Sequence, residues 1–129
     1  MALSFPDDCR YSNSHEYVRG EGELARLGIS AFAVDQLGDI VFVDLPEVGA
    51  TLSQGKSFGN VESVKAVEDL ISPISGVVEA RNEAVLGSPE ELQNDPYGEA
   101  WLLLVRPSAP AEVEALMAAD DYRRKVEGA

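Results

Sequence analysis

One lysine stands alone among acids in GNVESVKAVEDLISPISG, residues 59–76. Lys65 is the only basic side chain of that stretch; Glu62, Glu68 and Asp69 carry its other charges, and Val61, Val64, Ala66 and Val67 surround it. A lysine offers a primary amine on a long, flexible stem, so the chemistry open to it is acylation, which arginine could not undergo. Taken alone, such a lysine is a solvated turn residue, because lysine is nearly always exposed. Lys56, in SQGKSFG, has no comparable setting and is expected at the surface.

The remaining candidates for chemistry are few. Cys9 is the single cysteine and cannot close an intrachain disulfide. Asp7 and Asp8 beside it raise a thiol pKa, so an incidental thiol in a mobile terminus is expected. His15 is the only histidine; with no second histidine, cysteine or serine elbow placed to pair with it, neither a triad nor a metal site assembles. Structural packing is its expected role, and core packing that of Trp101. A hydrolase or transferase acting through His15 therefore lacks a nucleophile. Gly20, Gly22, Gly49 and Gly76 are expected at turns, since no phosphate-loop motif contains them.

The elements that must position these residues read as mainly β. A chain of 129 residues with 45% apolar content fits one compact domain. Residues 16–19 and 23–29 flank Gly20-Glu21-Gly22 as a hairpin would. SAFAVDQLG predicts a short helix, with Ser30 as N-cap and Gly38 as the stop. DIVFVDLP has strand composition, followed by short glycine-punctuated β segments in GATLSQGKSFG, NVES, AVEDLI and SGVVEARNE. A P-x-x-G echo at Pro46 and Pro73 hints at two similar halves. Residues 84–99 look like a long loop with one helical turn at 89–92, AWLLLVRP like the last strand, and 109–129 like helix, with Val113, Leu116 and Met117 at helical spacing. Around Lys65 periodicity is ambiguous; length and flanking Gly59 and Pro73 favour strand-turn-strand with the amine at the tip.

Charge and hydropathy exclude several classes. A formal net charge of −13 repels phosphate backbones, so nucleic acid is not an expected partner, and it favours a soluble monomer. No stretch approaches the roughly 20 apolar residues of a membrane helix. The start, MALSFPDDCRYSNSHEYV, lacks a basic n-region and an apolar h-region, so neither a secretory signal nor a transit peptide is expected, and a cytoplasmic location is.

HEYV (15–18), LGIS (27–30), DQLGDIVFVDLPEVG (35–49), FGNVESVKAVEDL (58–70), SPISGVVEARNE (72–83) and NDPYGEAWLLLV (94–105) occur in this order. In order and spacing they resemble the glycine cleavage system H protein family, from about Tyr11 to Arg124. E-S-V-K-A is similar to that family's lipoylation motif, and N-D-P-Y-G-E-x-W is not general among lipoyl domains. Tyr17 departs from the family's more frequent tryptophan, a packing variation that keeps a ring.

The resemblance implies a fold and a role. The fold would be a lipoyl/biotinyl-type flattened β-barrel (a barrel-sandwich hybrid) with a short internal helix and C-terminal helices. It would form a single lipoyl-carrier domain: an N-terminal extension over 1–10, a β core over 11–106 and a C-terminal helical segment over 109–129. Lys65 would carry lipoate in amide linkage, with Glu62, Ser63, Val64 and Ala66 as the context read by a lipoyl ligase or a lipoyl/octanoyl transferase. The arm, with a reach of ~14 Å from standard bond lengths, would serve three enzymes. These are a pyridoxal-phosphate glycine decarboxylase, a tetrahydrofolate-dependent aminomethyltransferase and a dihydrolipoamide dehydrogenase. Ser14, Glu16 and Asp69 match the residues that would hold the aminomethyl-loaded arm. The protein itself would be a carrier and no enzyme. An H-like protein relaying lipoate to other lipoyl domains is the alternative. A biotin carrier is disfavoured, because Val64 and Ala66 flank the lysine where methionines usually would.

Overall fold

A computed structural model describes residues 3–128. Met1 and Ala2 of the expected N-terminal extension, and Ala129 of the expected C-terminal segment, lie outside the described residues. The fold is mainly β, as expected. A seven-stranded sheet has the order β10-β1-β2-β3-β9-β8-β5 and a three-stranded sheet the order β4-β6-β7. Its strands are β1 (Cys9–Tyr11), β2 (Glu16–Glu21), β3 (Leu24–Ile29), β4 (Ile40–Asp44), β5 (Thr51–Leu52), β6 (Ser57–Ser63), β7 (Val67–Ile71), β8 (Gly76–Arg81), β9 (Leu103–Pro107) and β10 (Met117–Ala118). Every pairing among them is antiparallel.

Alternating apolar residues turn inward from both sheets and make one core. Leu27, Ile29, Val43, Val61, Leu70, Val78, Leu103 and Val105 meet there. A second, aromatic core lies against the larger sheet and joins Phe5, Cys9, Tyr11, Tyr17, Tyr97, Ala119 and Tyr122. Tyr11 and Tyr122 stack with centroids 4.5 Å apart. Tyr17 is fully buried opposite Gly28 on β3, and its ring fills the space a side chain at Gly28 would need, 2.5 Å from where a Cβ would stand. Glycine at position 28 is therefore what admits the Tyr17 ring.

Among the described residues there are also five helices: α1 (Ala31–Leu37), α2 (Glu83–Gly87), α3 (Glu91–Asn94), α4 (Ala111–Glu114) and α5 (Ala119–Glu127). The internal helix forms as predicted: Ser30 Oγ accepts the Ala33 N–H, and Gly38 ends it with φ of 76°. Ser63 and Val67 bound a short turn, so the segment around Lys65 is strand-turn-strand.

Several expectations need correction. Cys9 is not an incidental thiol in a mobile terminus: it is 2% exposed, inside β1 and the aromatic core. Burial, more than Asp8, pushes its thiol up to about 11. The hairpin turn is Gly22-Glu23, because β2 runs on to Glu21. Residues 84–99 hold α2 as well as a helical turn; Asn82 caps α2 by accepting the Ala84 N–H, a signal hidden because the short helix buries only Val85. AWLLLVRP is not the last strand, since β10 follows and pairs with β1, and the helical spacing at 113–117 is broken where Met117 joins that edge. Trp101 precedes β9 and is only half-buried. Gly22 and Gly49 sit in turns with positive φ, but Gly20 and Gly76 lie within strands, Gly76 where β9 passes too close for a Cβ. The P-x-x-G echo is thus not an echo of conformation: Gly49 sits in a turn with positive φ, while Gly76 opens β8.

Candidate functional site

The lysine turn is built by one serine. Ser63 closes β6 with its hydroxyl turned back over the loop, accepting the Lys65 N–H at 3.3 Å and the Ala66 N–H at 3.1 Å. Its own N–H donates to the Ala66 carbonyl at 2.8 Å, so three residues reverse the chain. Local side-chain bonds of this kind are how serine competes with regular structure and favours turns. Ser63 is buried, Ala66 half-buried, and Val64 and Lys65 are exposed. Glu62 faces outward between Phe42 on β4 and Val67 on β7.

A neighbouring element pins this turn from below. The Val64 N–H donates to the Asp39 carbonyl at 3.0 Å, just past the end of α1. The Lys65 stem passes over Gly38, with Cε 3.7 Å from the point where a Cβ would stand. Gly38 adopts a left-handed φ that a side chain would strain. The lysine therefore leaves a rigid, two-sided mount with its amine free to swing.

Val67, Asp69 and Ile71 share the outer face of β7, because strand side chains alternate. Val41, Phe42, Val64 and Val67 are exposed apolar groups around the same end of the small sheet. Asp69 is exposed opposite Asn60 and makes no side-chain hydrogen bond among the described residues.

Ser14 and Glu16 come together beyond the far end of β7. Glu16 opens β2, yet its carboxylate is 3% exposed and turns back toward the preceding turn. One oxygen accepts the hydroxyls of Ser12, at 2.9 Å, and Ser14. The other accepts the Ile71 N–H at 3.1 Å, which β7, as a sheet edge, would otherwise leave unpaired. Burial raises the Glu16 carboxyl above its ordinary value, against the bonds from Ser14, Ile71 and Ser12 that favour the anion. Glu16 is thus a buried link between the two sheets.

Thus Ser14 and Glu16 are in contact, while Asp69 is set two residues along β7 from the strand end they grip. Beside them opens a cleft of about 290 Å³, lined by Ser12, Asn13, Ser14, Ile71, Gln54 and Leu116 among others. Ser12, the Ile71 N–H and the Gly38-Asp39 mount were not foreseen from sequence. The S-x-S-x-E spacing at 12–16 was the available signal for Ser12. Among the described residues no group of His, Cys, Asp and Glu is placed to hold a metal ion, and no helix is long and apolar enough to cross a membrane.

The glycine cleavage H-protein family model matches residues 9–129. A glycine cleavage system H protein of Synechococcus sp. (strain CC9605) is 68% identical over 126 residues, 98% of either chain. One from Synechococcus sp. (strain CC9311) is 65% identical over 129 residues and the full length of both. Among solved structures, a glycine cleavage system H protein from Mycobacterium marinum superposes with a TM-score of 0.85 at 42% identity, covering 96% of this chain and 99% of that one.

Proposed function

The chain belongs to the glycine cleavage H-protein family, and on that premise we propose that Lys65 carries lipoate and shuttles an aminomethyl cargo between enzymes. The observation that carries this reading is the mount itself: an exposed lysine at the tip of a three-residue turn, braced by Ser63 and by Asp39. Modifying enzymes need such access, and Glu62, Ser63, Val64 and Ala66 form the surface and shape of the turn they would read. The amine has no competing ion pair among the described residues.

Attached in amide linkage, lipoate would supply a redox-active disulfide at the end of a flexible arm. Acylation removes the lysine charge, so the arm meets the acidic surface as a neutral chain. A reach of ~14 Å covers about four residues of strand. Laid along β7 over Val67, the arm would end at Asp69, two residues short of the Ile71–Glu16 contact. A cationic cargo there would meet the exposed Asp69 carboxylate, with the Ser14 hydroxyl, which donates to Glu16 and keeps lone pairs to accept, two strand residues further on. Glu16 holds the Ser14 hydroxyl from a site water barely reaches. The partners of this cycle would be a glycine decarboxylase, an aminomethyltransferase and a dihydrolipoamide dehydrogenase.

Intact mass of protein from a lipoylating host should show one lipoyl addition, lost in Lys65→Arg; an unmodified wild type would refute the reading. Glycine–bicarbonate exchange by a glycine decarboxylase should be stimulated by the modified form, and absence of stimulation would favour the lipoate relay. Formaldehyde release from the loaded protein should be at least about fivefold faster in Glu16→Ala and Asp69→Ala, the factor expected for one lost hydrogen bond. Unchanged release in both would remove the pocket from the proposal.

A further inference from the structure

His15 stands inside the turn that presents Ser14 and Glu16, with φ of 75°, the one left-handed residue other than glycine among those described. Such a conformation persists only where the surroundings impose it. Here the backbone contributes two bonds: the His15 N–H donates to the Ser12 carbonyl at 3.1 Å, and its carbonyl accepts the Ser30 N–H at 2.9 Å. The side chain contributes a third, with Nδ1 2.8 Å from the Tyr122 hydroxyl. The imidazole also packs on Phe32, centroids 4.8 Å apart.

Tyr122 reaches this point from α5 and is fully buried, held by Tyr11 and by Phe5. Packing alone would be served as well by phenylalanine. The hydroxyl is instead shared: it lies 2.7 Å from Ser30 Oγ, the cap of α1, as well as beside His15. One phenol proton and two lone pairs let the chain run from His15 to Ser30 or in reverse, so both contacts survive either imidazole tautomer. A second tie comes from the same helix, where Lys125 Nζ donates to Asn13 Oδ1 at 2.8 Å. Helix α5 therefore grips the turn at Asn13 and at His15, on either side of Ser14.

We propose that Tyr122 and His15 are positioning residues: the Tyr122 hydroxyl, acting through His15, fixes the 12–16 turn and so sets Ser14 and Glu16 where the cargo is held. The consequence for cargo rests on the functional reading above; the positioning of the turn does not. It makes the C-terminal helix part of the cleft's architecture, although α5 contributes no residue to the cleft lining.

Tyr122→Phe keeps both aromatic contacts and removes only the hydroxyl. In unloaded protein, amide resonances of residues 13–16 and the His15 ring nitrogens should shift in heteronuclear NMR, while those of 63–67 stay in place. His15→Asn, which tolerates a left-handed backbone but loses the tie, should move the same amides. Unmoved amides at 13–16 in Tyr122→Phe would overturn the positioning. In loaded protein Tyr122→Phe should release formaldehyde about fivefold faster, the factor of one lost neutral hydrogen bond. If Glu16→Ala speeds release and Tyr122→Phe does not, the role in cargo holding is overturned. If neither speeds it while the amides move, the pocket reading falls and the positioning of the turn stands.

Discussion

Glu16 is the residue whose environment differs most from its appearance in sequence. Its carboxylate ties the turn at 12–14 to the edge of β7, and burial makes ionisation unfavourable despite the donors around it. A carboxyl raised in the folded state above 4.5 binds its proton more tightly there than in the unfolded chain. Its contribution to stability is therefore complete below the unfolded pKa and declines as pH rises through the folded one. The wild type should lose stability relative to Glu16→Gln as pH rises above 4.5, as read by urea unfolding of both proteins. A wild type that gains stability relative to Glu16→Gln as pH rises would contradict the assignment. The raised thiol of Cys9 has no comparable consequence, because the group is neutral at working pH and sealed in the aromatic core.

Among the elements, the hairpin β6–β7 mounts the lysine, and its hold on β4 depends on Gly59. A Cβ there would run into the Asp44 carbonyl, where β4 pairs Asp44 with the neighbouring Asn60. Gly59→Ala should cost about 2–3 kcal/mol, as overpacking of a closed site does, and thermal unfolding checks it. The lysine turn lies at the other end of β6, so the lipoylation proposed for Lys65 should be unaffected in the surviving folded protein. The elements that sequence reading found have their signals within a few residues: the Ser30 cap and Gly38 stop of α1, and the strand composition of β4. Those it missed, β1, α2 and β10, are short, and β10 exists only because β1 offers an edge to pair with. Helical spacing at Val113 and Met117 carried no information about that edge.

At the scale of the molecule, the net charge of −13 sits on one small chain, and among the described residues the ion pairs lie at its surface. Exposed pairs contribute little each, whereas like charges repel across the whole surface and salt screens them within about 10 Å at 0.1 M. Raising sodium chloride from 10 to 200 mM should therefore stabilise the protein, by about 1 kcal/mol or ~4 °C in melting temperature. A fall would show that the ion pairs outweigh the repulsion. The same acidity, with exposed Val41, Phe42, Val64 and Val67 at the lysine end, gives that end an apolar patch within an acidic field.

Residue order alone was enough for the acylatable lysine, its turn, the internal helix, the mainly β class and the family likeness, since each rests on neighbours within a short window or on a linear motif. Only the tertiary structure decided that Glu16 is buried while Asp69 is exposed, that Cys9 belongs to a core, and that Tyr122 reaches His15 across 107 positions of chain. Burial and long-range hydrogen bonds depend on which surfaces meet when the two sheets close, and no local pattern of residue types encodes that meeting.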